Sequence, residues 1–143
     1  MCLTKVTRAK IPVGEVKAWK VFSTDSMNPT LHIKLSFPYR GGNVQEDKWL
    51  VAKGKPIHYW IATSAKYEAG FHAFATKKAA NMWLTYEIGE KNGVVRSVIL
   101  RDITTVGVQT IIGLAREDYD LTRTKLKMYV AKQMFVPKEG KLK

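Results

Sequence analysis

The chain holds one cysteine and three histidines, and two of these four side chains stand where chemistry could use them. Cys2 follows the initiator methionine. Loss of Met1 leaves a terminal cysteine whose own α-amine stands beside its thiol and can act as the base for nucleophilic attack. The nearby cations Lys5 and Arg8 favour the thiolate. The competing role for Cys2 is that of a small apolar side chain beside Leu3. His72 lies in Gly70-Phe71-His72-Ala73-Phe74, near the end of a strand and just before a helix. A histidine so placed either lines a cleft as an acid or base, or satisfies a hydrogen bond inside a core. His32 falls on the polar face of its strand and His58 beside Tyr59. No HxxxH or HxxE spacing joins the three histidines, so no metal site is expected. The chain has no G-x-x-x-x-G-K-[ST] phosphate loop and no G-x-S-x-G elbow, and no cofactor is expected.

The second chemistry available is binding of anions. The 143 residues carry a net charge of +12, and the two ends hold most of it. Residues 1–20 have five Lys or Arg against one Glu; residues 121–143 have seven against one; the hundred residues between them carry only +2. If the two ends lie side by side they make one positive face. Such a face draws phosphates or an acidic protein surface. Lys125, Lys127 and Lys132 are the candidate cations of the C-terminal half. A second candidate patch mixes cations with aromatics: Arg40, Trp49, Lys53, Lys55 and Trp60, where the indoles could serve as stacking platforms. Its competing reading is a solvated loop with one core tryptophan.

The elements that must position these residues follow from periodicity. Val16–Phe22 is rich in β-branched and aromatic residues and reads as a strand. Leu31, Ile33, Leu35 and Phe37 alternate with polar residues, which predicts a half-buried strand. Short strands are predicted at Trp49–Ala52 and Ile57–Ala62, around Lys53-Gly54-Lys55-Pro56. Thr76 is a good N-cap, and Ala79, Met82, Trp83 and Tyr86 fall on one face of a helix over about 77–87. Gly89–Gly93 ends it. Two further strands are predicted at Val94–Ile103 and Val106–Ile112. In Lys125–Pro137, Leu126, Met128 and Val130 alternate against Lys127, Tyr129 and Ala131. Residues 117–124 fit a loop or one helical turn, and 138–143 a frayed basic tail.

These elements predict one α+β domain over residues 1–143, with a basic segment at 1–15, one mixed or antiparallel sheet, and one main helix packed on it. No apolar window is long enough to span a membrane, and the N-terminus has no apolar core of a signal peptide, so a cytoplasmic protein is expected. One cysteine excludes an internal disulfide.

Met1-Cys2-Leu3, the strand Val16–Phe22, and Gly70–Phe74 followed by Thr76–Ala80 resemble, in order, a family of short phage and prophage hypothetical proteins. Those proteins open Met-Cys-Leu and carry a central Gly-Phe-His-Ala-Phe motif before a helix. The resemblance implies a phage or prophage origin and a protein that acts on the host; it transfers no catalytic residues. A more distant likeness is to the ADP-ribosyltransferase fold, on the layout of Val16–Phe22 and Gly70–Ala80. It implies a dinucleotide cleft between them. That family wants His or Arg on its first strand, where this chain has Lys17, Trp19 and Lys20. It also wants a late Glu or Gln, for which Glu117 and Gln133 are the positions on offer.

The leading expectation is a small basic accessory protein that works by binding, covering an acidic host protein or nucleic acid. The alternative is an enzyme, acting through Cys2 with His72 or through a nucleotide cleft.

Overall fold

A computed structural model describes residues 3, 5–24, 35–36, 44–52, 67, 70–111 and 125–138. Among them seven strands form one antiparallel sheet: β1 (Lys5–Val6), β2 (Val16–Thr24), β3 (Leu35–Ser36), β4 (Trp49–Val51), β5 (Phe71–Phe74), β6 (Gly93–Thr110) and β7 (Lys125–Phe135). The one α-helix among the described residues, α1, spans Lys77–Trp83 and runs on into a π-helical turn at Leu84–Ile88. The chain is therefore α+β, with the helix packed on the sheet as its periodicity predicts.

β6 organises the sheet. Its first half pairs with β2 from Gly93↔Ser23 to Leu100↔Val16, and from Ile99 to Thr110 it pairs with β7. β7 in turn pairs with β5, and β5 returns to β2 through Trp19↔Phe74. The pairings β2–β6–β7–β5–β2 therefore close into a circuit, which leaves fewer open strand edges. The closing seam is thin, one residue pair wide. Lys20 reinforces it: the side chain is buried among apolar neighbours, and its Nζ donates to His72 O on β5 at 2.6 Å. The apolar stem stays in the core while the charged head finds a carbonyl.

The sequence pattern predicts two strands at 94–103 and 106–112, and the structure corrects this to one. β6 bends instead of stopping. Asp102 has φ +54°, and the register with β7 slips between Ile103 and Thr105. This bulge lets one strand serve two partners. Gln133 Nε2 donates to Asp102 Oδ2 at 2.7 Å and fixes the bend.

Both faces of the sheet carry core. One cluster holds Val21, Phe74, Leu126, Met128 and Val130 beneath Ala79, Ala80 and Trp83 of α1, and includes Leu3 and Tyr67. The other holds Ala18, Phe22, Ala73, Val98, Leu100, Ala131 and Met134. Alternation along β2, β5 and β7 sends successive side chains to the two clusters. Thr76 caps α1, its Oγ1 accepting from Ala79 N at 3.2 Å. The predicted strands at 31–37 and 57–62 lie outside the described residues, apart from Leu35–Ser36.

Candidate functional site

Lys5 and Arg8 of the basic N-terminal segment meet Lys125 and Lys127 of the C-terminal one at one end of the sheet. β1 pairs with β6 on one side, Lys5↔Val108, and β7 pairs with it on the other, Val108↔Lys127. Directly paired residues project to the same face, so Lys5, Val108 and Lys127 form one rung with a lysine at each end. The two lysines are two strand spacings apart, about 10 Å at the backbone. Lys125 is paired with Thr110 and lies one alternation, about 7 Å, further along β7 on the same face. Tyr129 follows on the other side of Lys127. Lys5, Arg8, Lys125 and Lys127 are all exposed. A hollow of about 490 Å³ opens next to this rung, lined by Lys5, Val6, Thr7, Arg8, Val108 and Lys125.

Local sequence explains why this end is open on one face. Leu126, Met128 and Val130 are buried beneath the helix, so Lys125, Lys127 and Tyr129 must project the other way. The opposite core, built on Ala131 and Met134, ends at Tyr129, which is half-buried against it. The Lys127 ammonium sits 5.6 Å from the centroid of the Tyr129 ring. Gly107 makes room for the N-terminal segment. A Cβ there would fall 2.6 Å from Lys5 O and 2.6 Å from Leu3 Cδ1. Thr7 N donates to Val106 O at 2.9 Å and continues the ladder.

Among the described residues, three carboxylates are engaged elsewhere. Glu15 pairs with Arg101, Glu46 with Arg96 at 3.3 Å, and Asp47 accepts from Lys138 N at 3.0 Å. No described carboxylate lines the hollow. Its described lining is cationic and neutral, which is what anion capture requires.

His72 stands in a different place, on the helix-covered face. Its Nδ1 lies 3.1 Å from Gly70 O, a pure acceptor, so Nδ1 carries the proton. In the neutral ring Nε2 then accepts from the Tyr67 hydroxyl at 2.9 Å. Tyr67 Oη in turn accepts from Leu3 N at 2.9 Å. The relay runs from the N-terminal segment through Tyr67 to His72, and both ring nitrogens are engaged. Its evident work is to hold Leu3, which is fully buried, against the sheet.

Of the other residues singled out by sequence, Trp49 lies on β4, half-buried, its ring 5.5 Å from that of Phe135 and beneath the Arg101 guanidinium at 3.8 Å. Its stacked cation is thus Arg101. Lys132 is exposed, at the β4 end of β7, where its carbonyl accepts from Ala52 N. It does not join Lys125 and Lys127. Lys138, read as the start of a frayed tail, is tied by its amide to Asp47. Cys2, Arg40, Lys53, Lys55, Trp60 and Glu117 lie outside the described residues. The strands invoked by the ADP-ribosyltransferase likeness, β2 and β5, are neighbours, with Lys20 reaching across them.

Tyr129 is the site residue that sequence reading passed over. Its signal was its place in the Lys127, Tyr129 row of the alternation. Among the described residues no group of three His, Cys, Asp or Glu could hold a metal, and no helix is long and apolar enough to cross a membrane. Comparison with protein-family models, curated proteins and solved structures yields no match to this chain.

Proposed function

We propose that the protein works by binding, and that its contact surface is the open sheet face at the β1–β6–β7 end. One observation carries this reading: Lys5 and Lys127, from opposite ends of the chain, flank Val108 on a single rung, with Lys125 and Arg8 around the same hollow. The partner is anionic, a host protein with an acidic surface or a nucleic acid, met in the cytoplasm of a phage-bearing host as the resemblance to short phage proteins implies. The mechanism is occlusion, in which the positive face covers an acidic or phosphate-rich surface. The +12 net charge adds long-range steering.

The test is salt and charge reversal. Affinity for the partner, recovered by pull-down, falls steeply with ionic strength. The triple variant Lys5→Glu, Lys125→Glu, Lys127→Glu loses the partner while its melting curve stays near wild type, because each side chain is exposed. Binding that is indifferent both to salt and to this variant overturns the proposal.

A further inference from the structure

We infer that the open face takes single-stranded nucleic acid, with Tyr129 as the base-stacking platform and Lys5, Arg8, Lys125 and Lys127 on the phosphates. The inference rests on the binding reading above and names its ligand. An acidic protein surface needs cations alone. This face offers more: a half-buried aromatic ring in the same row as two exposed lysines, on a β-strand whose period of two sets Lys125, Lys127 and Tyr129 about 7 Å apart. Cations interleaved with an aromatic face are the requirement for gripping a strand whose bases are unpaired, since the charges follow the backbone and every base has a π-face to stack.

The ring is also well supported. Tyr129 packs against the core that holds Ala73 and Ala131, and the Lys127 ammonium lies over its ring, 5.6 Å from the centroid, where it can pair with the phosphate of a nucleotide whose base shares the ring. A ring held in place loses little freedom when a base settles on it. Further along the row, past Lys127, the hollow of about 490 Å³ falls in the size range of small-ligand sites, and Lys5, Thr7, Arg8 and Lys125 present donors to it with no carboxylate in its described lining. A duplex could use the lysines but not Tyr129, because its bases are stacked inside.

The experiment is fluorescence anisotropy on the full chain with four labelled probes of matched length: oligo(dT), oligo(rU), a DNA duplex and a polyglutamate peptide. At least one single-stranded oligomer binds more tightly than the peptide, and the tighter of the two distinguishes a DNA from an RNA ligand. Tyr129→Leu weakens that oligomer about tenfold with the salt slope unchanged, and Tyr129→Phe restores it. Lys127→Ala lowers the slope of log affinity against log salt by about 0.7. Duplex affinity is indifferent to Tyr129→Leu. Oligomer binding unaffected by Tyr129→Leu, or polyglutamate bound as tightly as either oligomer, overturns the nucleic-acid inference while leaving the basic face standing. No probe bound, or binding unchanged when Lys5, Lys125 and Lys127 are reversed, overturns both. Should Tyr129→Leu fail to fold, photocrosslinking of a 5-iodouracil oligomer to the wild-type chain decides the matter. Crosslinks at Tyr129 support the inference, and crosslinks confined to other peptides overturn it.

Discussion

The two faces of β7 make the sharpest contrast in this molecule. Leu126, Met128 and Val130 are buried beneath α1 together with Leu3, Phe74 and Trp83. Lys125, Lys127 and Tyr129, interleaved with them, turn to the other side, where the two lysines are exposed. Backbone and ladder are shared. Only the parity of the residue number differs. A strand of period two can thus hold a fold together with one set of side chains and offer a surface with the other. Changes on the covered face should cost stability, and changes on the open face should cost binding.

The largest effect that tests this division is expected at Trp83. Its side chain is 6% exposed and its ring centroid lies 6.0 Å from that of Phe74. Trp83→Ala removes the helix's ring contact with Phe74 and should destabilise the protein by about 3–5 kcal/mol in a urea melt. A loss below about 1 kcal/mol would mean that the covered face is not the seat of stability. Its indole Nε1 is buried with no hydrogen-bond partner among the described residues, so its described contribution is packing.

Gly107 couples the two faces and comes next. Alanine there would set a methyl 2.6 Å from Lys5 O and 2.6 Å from Leu3 Cδ1. Main chain cannot swing aside as a flexible side chain can, so β1 must shift. Gly107→Ala should cost about 1–3 kcal/mol by overpacking and should also weaken anion binding, because Lys5 and Arg8 move with β1. Hydrogen exchange at Thr7 N, which donates to Val106 O, reads the displacement directly. A variant with unchanged exchange and unchanged binding would separate the N-terminal segment from the site.

Much of this arrangement was legible in the sequence, and the misses share a cause. The strand at Val16, the capped helix after Thr76 and the alternation from Lys125 were readable because their signals are local. The break predicted between Ile103 and Val106 was a bulge. An extra residue inverts the parity of the pattern without ending the strand, so β6 reads as two strands when it is one. Closure of the sheet through Trp19 and Phe74 joins residues far apart in the chain, and no local pattern carries it. Lys20 counts as one more charge in a composition but is a buried strut in the fold. The convergence of the basic ends was conditional on their lying side by side, and β6 between β1 and β7 supplies that condition.

Tyr67 tests how the N-terminal segment is held on the covered face. Its hydroxyl accepts from Leu3 N and donates to His72 Nε2, each at 2.9 Å. Tyr67→Phe keeps the ring and removes both partners at once. The Leu3 amide and the His72 nitrogen are then left without that partner, a loss of about 1–3 kcal/mol. Thermal denaturation checks it, and a melting temperature equal to wild type would mean that water or another group replaces the hydroxyl. The contrast with the open face predicts that the folded variant still binds anions, since the β1 ladder to Val106 and Val108 remains.

The smallest effect is expected at Lys132, and it bears on position rather than charge. A scheme in which net charge alone governs binding treats Lys125, Lys127 and Lys132 alike. The fold separates them: Lys132 is five residues beyond Lys127, about 17 Å along the strand, and beside β4 rather than β1. At physiological salt the screening length is about 8 Å, so its field at the Lys5–Lys127 rung is mostly damped. Lys132→Glu should therefore weaken anion binding by less than about threefold, whereas Lys127→Glu, the same change of charge, should weaken it far more and flatten the salt slope. Titrating both variants side by side at two ionic strengths makes the comparison. Equal losses would return the protein to a diffuse cationic surface, and unequal losses would place its contact at the rung where the two ends of the chain meet.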